Sequence, residues 1–340
     1  MRASREKNNQ TYEVEEKILN RIYSLVIYYK ESKNPFIKLF RYIRAHFWGL
    51  NQIQKKKGKL NGIHLHVIKP AGLIALLFKW FLGLKYTITE HSTAYLKENK
   101  NSMSFSEKLL VKITLKNASA VSVVSKQLGK ELMELGKISK PELINNVVDE
   151  TLFKPDFNKS NGIYTFIHIS TLTEEHKNPK GLLRAYSTFI KANENSRLII
   201  LSDGDLDNCK TYAAELKLED FIDFIGPKPS SEIAKIIRQC QCLVLFSNYE
   251  NMPVVISEAW MSGIPVISSQ VGGIADNLNE MNGILVKAGD EEALSKAFES
   301  MYLNTNGFSK SIIYKQAFEK FSYQAVGETL INFYENNFIS

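Results

Sequence analysis

The chain has 340 residues, of which 44% are hydrophobic and 23% charged, and this composition is typical of a globular protein and excludes a disordered or fibrous one. A chain of this length is expected to form about two domains. Residues 1–140 hold 26 of the 43 basic and 10 of the 36 acidic side chains, so their balance is +16, whereas that of residues 141–340 is −9. This split favours a basic first half that meets an anionic partner such as a membrane or a phosphorylated substrate, or else a solvated lysine-rich surface.

The cysteines and the apolar segments indicate the cellular compartment in which the protein is expected. Cys209, Cys240 and Cys242 are an odd number without a metal or redox spacing, which favours a reducing compartment. The first 16 residues are charged and polar, so no secretory signal is expected there. Ala71 to Leu84 is apolar but too short to span a bilayer and contains Lys79, so a buried helix is expected. A cytoplasmic protein is the resulting expectation.

Short β-branched or aromatic runs alternate with longer helical patterns, which predicts βαβ units, parallel sheets and an α/β fold. Near-continuous apolar runs such as CLVLF are typical of strands that are covered on both faces. At Asn145–Gly162 the pattern and the net charge both change, which predicts the domain boundary. The predicted strands are Tyr23–Tyr29, Gly62–Val67, Tyr86–Thr89, Ala120–Val124, Ile163–Ile169, Arg197–Leu201, Phe221–Ile225, Cys242–Phe246 and Pro265–Ser268.

Residues Pro35 to Leu60 show the pattern of a basic amphipathic helix that ends in a lysine cluster. Such a helix can lie in the headgroup plane of an anionic bilayer, with its apolar side down and its basic side chains toward lipid phosphates. It can equally pack its apolar face on its own sheet. The first interpretation adds peripheral attachment to the inner face of the membrane, and the second does not.

The segment Phe246–Ile274 holds two carboxylates eight residues apart. Glu250 follows a predicted buried strand, and Glu258 lies inside the helix that begins near Pro253. The carboxyl edge of an open α/β sheet is its ligand crevice, and a helix N-terminus offers N–H groups to hydroxyl or phosphate oxygens. A carboxylate there can accept hydrogen bonds from a ribose or hexose diol, although either acid alone could be a solvated or capping residue. Gly272 and Gly273 would allow close approach of the backbone to a ligand.

These residues resemble the donor-binding half of glycosyltransferase family 4, whose members are retaining enzymes of the GT-B fold. The family pattern of two glutamates, a small residue followed by Gly-x-Pro-Val, and Gly-Gly is similar to Glu250, Glu258, Ser262–Val266 and Gly272-Gly273. The resemblance implies two Rossmann-like lobes with a cleft between them. Its further similar stretches are Leu201–Asp205, Phe224–Pro227 and Asn282–Leu294.

The implied domains are an acceptor-side lobe at residues 1–147, a nucleotide-sugar lobe at 148–322 and a helix at 323–340 that is a candidate for crossing back to the first lobe. The strand and glycine-rich loop that usually open the first lobe are not visible, since the first glycine is Gly49. The strand at Tyr23–Tyr29 is expected to be a later member of the sheet. The first lobe is therefore expected to be incomplete.

By this resemblance, Glu258 binds the nucleotide ribose and Glu250 contacts the transferred sugar near its reacting face. The loop Asn251-Met252-Pro253 is expected to offer backbone N–H groups to the sugar hydroxyls. Asn251 stands where the family commonly has Gly. Asn suits a tight turn less well than Gly, although it accepts left-handed geometry more readily than most residues.

The phosphate contacts of the family match less well. Where the family commonly has Gly-Arg-Leu and then Lys, this chain has Ser170-Thr171-Leu172 and then Lys177. Thr171 replaces the arginine, so one positive charge on the diphosphate is missing. Lys177 is expected to neutralise the leaving diphosphate, with Lys180 as an alternative.

Three histidines of the first half are candidates for site residues. His91 follows a predicted strand where the resemblance places a histidine that faces the donor sugar, and it could hydrogen bond a hydroxyl or stabilise developing charge, unless it is structural. His64 and His66 share one face of a strand, but no third ligand is identifiable, so no metal site is expected.

The predicted function is transfer of a hexose, with retention, from a nucleotide-diphosphate sugar to a saccharide or lipid-linked saccharide acceptor in surface polysaccharide or glycan synthesis. A UDP-sugar is favoured over GDP-mannose, and no metal cofactor is expected. The alternative is a non-catalytic remnant that binds a nucleotide sugar or a glycan. Nucleic acid is not an expected partner because no known binding module is present.

Overall fold

A computed structural model describes residues 12–19, 22–99, 103–157, 162–304 and 307–339 of the chain. They form two lobes, each built around a parallel sheet with helices packed against it. The first lobe combines an antiparallel hairpin, β1-β2, with a four-stranded sheet of order β3-β4-β5-β6. Its elements are β1 (Tyr12–Leu19), β2 (Ile22–Tyr29), α1 (Pro35–Lys57), β3 (Ile63–His66), α2 (Gly72–Leu82), β4 (Tyr86–Glu90), α3 (Phe105–Asn117), β5 (Ala120–Val123), α4 (Lys126–Gly136) and β6 (Glu142–Leu143).

The second lobe has a six-stranded parallel sheet of order β12-β11-β10-β7-β8-β9. Apolar clusters cover both of its faces, and every residue of the central strand β10 is buried. Its elements are β7 (Tyr164–Ile169), α5 (Glu174–Lys177), α6 (Pro179–Ile190), β8 (Ser196–Leu201), α7 (Leu206–Glu215), β9 (Ile222–Ile225), α8 (Ser230–Ile237), β10 (Cys242–Leu245), α9 (Val254–Met261), β11 (Val266–Ser269), β12 (Gly283–Val286), α10 (Glu291–Leu303), α11 (Lys310–Phe321) and α12 (Tyr323–Tyr334).

The parallel α/β architecture is confirmed, but the role predicted for the strand at Tyr23–Tyr29 is wrong. As β2 it pairs antiparallel with β1, and within the described residues it joins no parallel sheet. Only one face of β2 is buried, by Ile27 and Tyr29 against Ala45 of α1, as is typical of an antiparallel hairpin. Strands β1, β6 and β12 were not predicted from the sequence; β1 is rich in charge and β6 has only two residues.

The apolar segment from Ala71 to Leu84 forms α2, which is buried only in part. Its first two turns pack in the core, whereas Trp80, Phe81 and Leu82 in its last turn are exposed, so the expectation of a buried helix is wrong for that turn. Lys79 interrupts the run because its Nζ donates to the carbonyl of Asn117 at 2.6 Å, where α3 ends. Over the described residues, the structure contains no helix with both the length and the apolar character needed to cross a bilayer.

The C-terminal helix α12 contacts the first lobe. Val326 and Phe333 pack on Ile144, and the Tyr334 hydroxyl hydrogen bonds to Nδ1 of His64 on β3. The segment before β7 packs on the second lobe, since Val148 donates its N–H to the carbonyl of Phe321. Residues 158–161 of the predicted linker lie outside the described residues, and the domain bounds inferred from the sequence stay a prediction.

Candidate active site

Glu250 lies at the carboxyl edge of the second sheet, in the loop between β10 and α9, and its side chain is buried. Its Oε1 accepts hydrogen bonds from Nζ of Lys177 and, at 2.8 Å, from Oγ of Ser247. The Nε2 atom of His176 is 3.7 Å from the other carboxylate oxygen. Burial would raise the pKa of Glu250, but His176, Lys177 and Ser247 together hold it below its ordinary value. Glu250 is therefore a buried, ionised carboxylate at neutral pH.

A second group of hydrogen bonds fixes the segment between β7 and α5, the short helix that ends at Lys177. Burial lowers the pKa of His168 on β7 to about 4, so its imidazole is neutral at pH 7. Its Nδ1 is 2.9 Å from the carbonyl of Val244 and its Nε2 is 2.7 Å from Oγ of Ser170. Asn248 then joins α5 to the Glu250 loop, because its N–H donates to the carbonyl of His176 at 2.9 Å. The segment that precedes α5 and the loop that carries Glu250 therefore both contribute to holding Lys177 beside Glu250.

Glu258 has the opposite environment. It lies in the second turn of α9, half-buried, and none of the described residues hydrogen bonds to or pairs with its carboxylate. Burial raises its pKa to about 7. A half-buried acid without a partner is suited to accept hydrogen bonds from a bound ligand.

The loop between the two glutamates is shaped by its own packing. Pro253 precedes α9 as its N-cap, and no side chain caps that helix end. Met252 is buried in the core, and its carbonyl accepts from Nδ2 of Asn146 at 3.4 Å. Pro253 has no backbone N–H, and that the other residues of the loop, Asn251 and Met252, offer N–H groups to a sugar remains a prediction.

Gly272 and Gly273 permit a close approach of the chain to itself. Gly272 has a φ of +58°, and a Cβ there would lie 2.0 Å from the carbonyl oxygen of Glu250. The N–H of Gly273 donates to the carbonyl of Asn251 at 2.7 Å. The space beside these glycines, which was predicted to admit a ligand, is therefore occupied in part by the Glu250 loop. A contact of either glycine with the donor stays a prediction.

Lys180 and Thr171 lie apart from this cluster. The Lys180 ammonium is 5.2 Å from the ring centroid of Tyr212, a cation–π geometry. Thr171 is exposed, and its hydroxyl contacts that of Thr173 at 3.2 Å. The structure thus brings Lys177, and not Lys180, to Glu250.

His91 follows β4 at the carboxyl edge of the first sheet and is exposed. Its ring centroid is 6.1 Å from that of His66, and burial together with the charge of His66 lowers its pKa. Its loop is held by buried Glu90, whose Oε1 accepts from the N–H groups of His91 and Ser92 at 3.0 and 2.8 Å. No group of three or more His, Cys, Asp or Glu suited to a metal ion occurs in the part of the chain that the structure describes.

Asn251 links the two lobes. Its φ is not positive, so the backbone here does not use the left-handed region that Asn tolerates. Its buried side chain accepts from Oγ of Ser125, which follows β5, and donates to the carbonyl of His91 at 3.0 Å. The second lobe thereby contacts the carboxyl ends of β4 and β5 directly.

Sequence reasoning missed His176, Ser247, Glu90 and Ser125. Three of them lie close to a predicted site residue in the sequence, which is the only sequence signal for them. His176 and Glu90 each directly precede such a residue, and Ser247 lies three residues before Glu250. Ser125 lies 126 residues from its partner Asn251, so only the fold brings them together.

Comparison with known proteins identifies the family to which the chain belongs. The family model of glycosyl transferases group 1 matches residues 149–318, and that of glycosyltransferase family 4 matches residues 6–152. The chain belongs to the group 1 glycosyl transferases. It is a family 4-like glycosyltransferase of the two-lobe GT-B fold, as the resemblance implied.

Relatives and a solved structure agree with this assignment. The chain is 22% identical to N-acetyl-alpha-D-glucosaminyl L-malate synthase of Bacillus anthracis, over 88% of this chain and 82% of that protein. It is 32% identical to lipopolysaccharide 1,6-galactosyltransferase of Escherichia coli K12, over 44% of this chain and 46% of that protein. The crystal structure of HepE from Anabaena in complex with UDP-glucose superimposes with a TM-score of 0.70 at 17% identity, covering 90% of this chain and 86% of that one.

Proposed function

We propose that this glycosyltransferase transfers a hexose from a UDP-sugar, with retention of the anomeric configuration, to a saccharide or lipid-linked saccharide acceptor in surface polysaccharide or glycan synthesis. The observation that carries the proposal is the pair of glutamates in contrasting environments at the carboxyl edge of the second sheet. Glu250 is ionised and held by Lys177, whereas Glu258 is half-buried without a partner among the described residues. The backbone carbonyl of His91 in the first lobe is joined to this loop by a hydrogen bond from Asn251.

The proposed donor contacts follow from these environments. Glu258 accepts hydrogen bonds from the ribose hydroxyls, which supply the partner that it lacks. Backbone N–H groups before and at the start of α9, in the Asn251–Pro253 loop and just beyond, meet oxygens of the donor with the positive end of the helix dipole. A UDP-sugar is preferred over GDP-mannose because HepE, which is similar in fold, was solved with UDP-glucose.

The proposed chemistry depends on charge held in place before the reaction. The bond between C1 of the sugar and the diphosphate breaks, the nucleoside diphosphate leaves with the bonding electron pair, and the acceptor oxygen bonds to C1 as its proton departs to the leaving group. Lys177 offsets charge that develops on the diphosphate, and Glu250 stabilises the positive charge on the sugar ring. His91 hydrogen bonds a sugar hydroxyl from the opposite side of the cleft.

The first experiment is a thermal-shift titration with UDP, GDP, ADP and their sugar conjugates, because a ligand that binds the folded state raises Tm. We expect a shift that is selective for UDP and its sugars and that is reduced in Glu258→Ala. The anomeric configuration of the product, read by NMR, tests retention. An inverted product contradicts that part of the proposal, and binding without turnover of any donor identifies a nucleotide-sugar-binding protein instead.

The acceptor side is proposed to meet an anionic membrane through the first two turns of α1. Phe36 and Phe40 there are 80% and 64% exposed, on the same helix face as Phe47, which packs on Phe78 of α2. Helix α1 carries six basic residues and no acidic one. An exposed apolar stripe on a basic helix complements the acyl boundary and the phosphates of an anionic bilayer.

Sedimentation with vesicles tests this attachment. Wild type is expected to sediment with phosphatidylglycerol vesicles and not with phosphatidylcholine vesicles, and Phe36→Ser with Phe40→Ser is expected to remain in solution. Phe105→Ser is the matched control, because Phe105 is 84% exposed on α3 of the same lobe. Equal loss of sedimentation in the control, or binding to both lipids, contradicts attachment through α1.

A further inference from the structure

The two lobes meet beside the candidate site through one buried amide. Asn251 is 4% exposed and Ser125 is 1% exposed. The Oδ1 atom of Asn251 accepts from the Ser125 hydroxyl, and its Nδ2 donates to the carbonyl of His91 at 3.0 Å. Both polar ends of one side chain from the second lobe are therefore satisfied by the first lobe.

The backbones also approach closely at this point. A Cβ on Gly273 would lie 2.5 Å from the Cβ of Ser125, so the glycine lets the lobes come together. The neighbouring residue, Lys126, donates its backbone N–H to Asp276 at 3.3 Å, and its Nζ is 3.6 Å from the same carboxylate. Asn251 thus lies within a contact between the two lobes.

We infer that Asn251 is a positioning residue, which holds the His91 loop of the first lobe against the Glu250 loop of the second. The inference rests on the proposed function, since His91 and Glu250 are its candidate reacting-site residues. Asn251 is the direct neighbour of Glu250 in the chain, and it hydrogen bonds to the backbone of His91 itself. A displacement of about 1 Å between such groups can reduce a rate by roughly 100-fold, so a side chain that fixes their separation has a direct effect on turnover.

The chemistry of the contact requires an amide. Ser125 caps α4 by accepting from the N–H of Leu128 at 3.1 Å, which leaves its hydroxyl proton for the Asn251 oxygen. The carbonyl of His91 needs a donor, which the Asn251 nitrogen supplies. An aspartate would keep the bond from Ser125 but would oppose a carboxylate oxygen to the His91 carbonyl.

The test compares Asn251→Ala and Asn251→Asp with the matched control Asn282→Ala. Asn282 is also 4% exposed, and its side chain makes two hydrogen bonds, with Asn277 and Asn279, that both stay within the second lobe. Four quantities are measured below the Tm of every variant: the radius of gyration by small-angle scattering, the Kd for UDP, and kcat and KM for consumption of a UDP-sugar.

Both Asn251 variants are expected to show a larger radius of gyration and a kcat lowered by about tenfold or more, with the Kd for UDP changed by less than roughly threefold. Asn282→Ala is expected to keep the radius and kcat of wild type. An unchanged radius in Asn251→Ala, or an equal loss of kcat in Asn282→Ala, overturns the inference. If wild type neither binds UDP nor consumes a donor, the proposed function fails, while the scattering comparison still decides whether Asn251 joins the lobes.

Discussion

The two lobes hold their candidate site residues in different ways. In the second lobe, Glu250 is bound by Lys177 and Ser247, and all three belong to that lobe. In the first lobe, the His91 loop is held on one side by Glu90 and on the other by Asn251 of the second lobe. The Glu250 cluster is therefore held within its own lobe, whereas the His91 loop is held in part by a contact between the lobes.

The strongest challenge to this contrast is Lys177→Ala, which leaves the buried Glu250 carboxylate without its cation. Removal of one partner of a buried ion pair is expected to lower the free energy of unfolding by about 3–5 kcal/mol. Denaturant unfolding measures this loss. Lys180→Ala is the control, because Lys180 lies over the Tyr212 ring and not beside a carboxylate. If both variants lose the same free energy of unfolding, the ion pair of Lys177 with Glu250 does not stabilise the fold in the way described.

Glu250→Ala tests the chemical role of the same cluster. We expect kcat to fall by about 100- to 1,000-fold, as when one preorganised electrostatic contact to a transition state is removed, with the Kd for UDP within roughly threefold. Steady-state kinetics and calorimetry measure the two quantities. Glu250→Gln keeps the shape of the side chain and removes its charge, so it should match the alanine variant in kcat; equal losses of turnover and affinity would refute the role.

The environment of Glu258 predicts an effect of pH on stability. Its pKa is about 7 in the folded protein and about 4.5 when unfolded, so the folded state binds more protons between these values and loses stability as pH rises through them. At roughly 1.4 kcal/mol per pKa unit, Glu258→Gln should be stabilised over wild type by about 1–3 kcal/mol at pH 8 and by little at pH 4. Chemical denaturation at both pH values measures the difference, and a gain that is the same at both would contradict the shifted pKa.

The smallest expected effect concerns the contact of α12 with the first lobe. Tyr334→Phe removes the hydroxyl that hydrogen bonds to His64, which should cost about 1 kcal/mol of stability. Tyr314→Phe is the control, since that hydroxyl has no hydrogen-bond partner among the described residues, and it should leave stability nearly unchanged. A loss of the same size in both variants would mean that the helix is held by its apolar residues alone.

The sequence predicted the parts of the site that lie close together in the chain. Glu250, Glu258 and the loop between them share one strand–loop–helix unit, so periodicity and turn residues were enough to locate them. His176 and Ser125 were missed because they lie 74 and 126 residues from the partners they face. Their positions depend on how strands order in a sheet and how lobes pack, which local patterns do not encode.

Two further interpretations, of the β1-β2 hairpin and of Asn251, missed the structure for different reasons. The hairpin β1-β2 was misassigned because β2 alone reads as an apolar strand, and its partner β1 is charged and pairs through backbone atoms. Asn251 was interpreted through backbone tolerance, whereas its side chain is used for contact between lobes. The partners of Asn251 lie 126 and 160 residues away in the chain, whereas β1 directly precedes β2 and was missed because it is rich in charge.

The central claim is the proposal that Glu258 of the second lobe binds the nucleotide of the donor. Calorimetric titration of UDP and GDP into wild type and Glu258→Gln tests it most directly, because hydrogen bonds to a charged group contribute about 1.5–3 kcal/mol each. We predict binding of UDP by wild type, weaker binding of GDP, and a loss of roughly tenfold or more in UDP affinity for the variant. Equal affinity of both proteins for UDP would contradict the account.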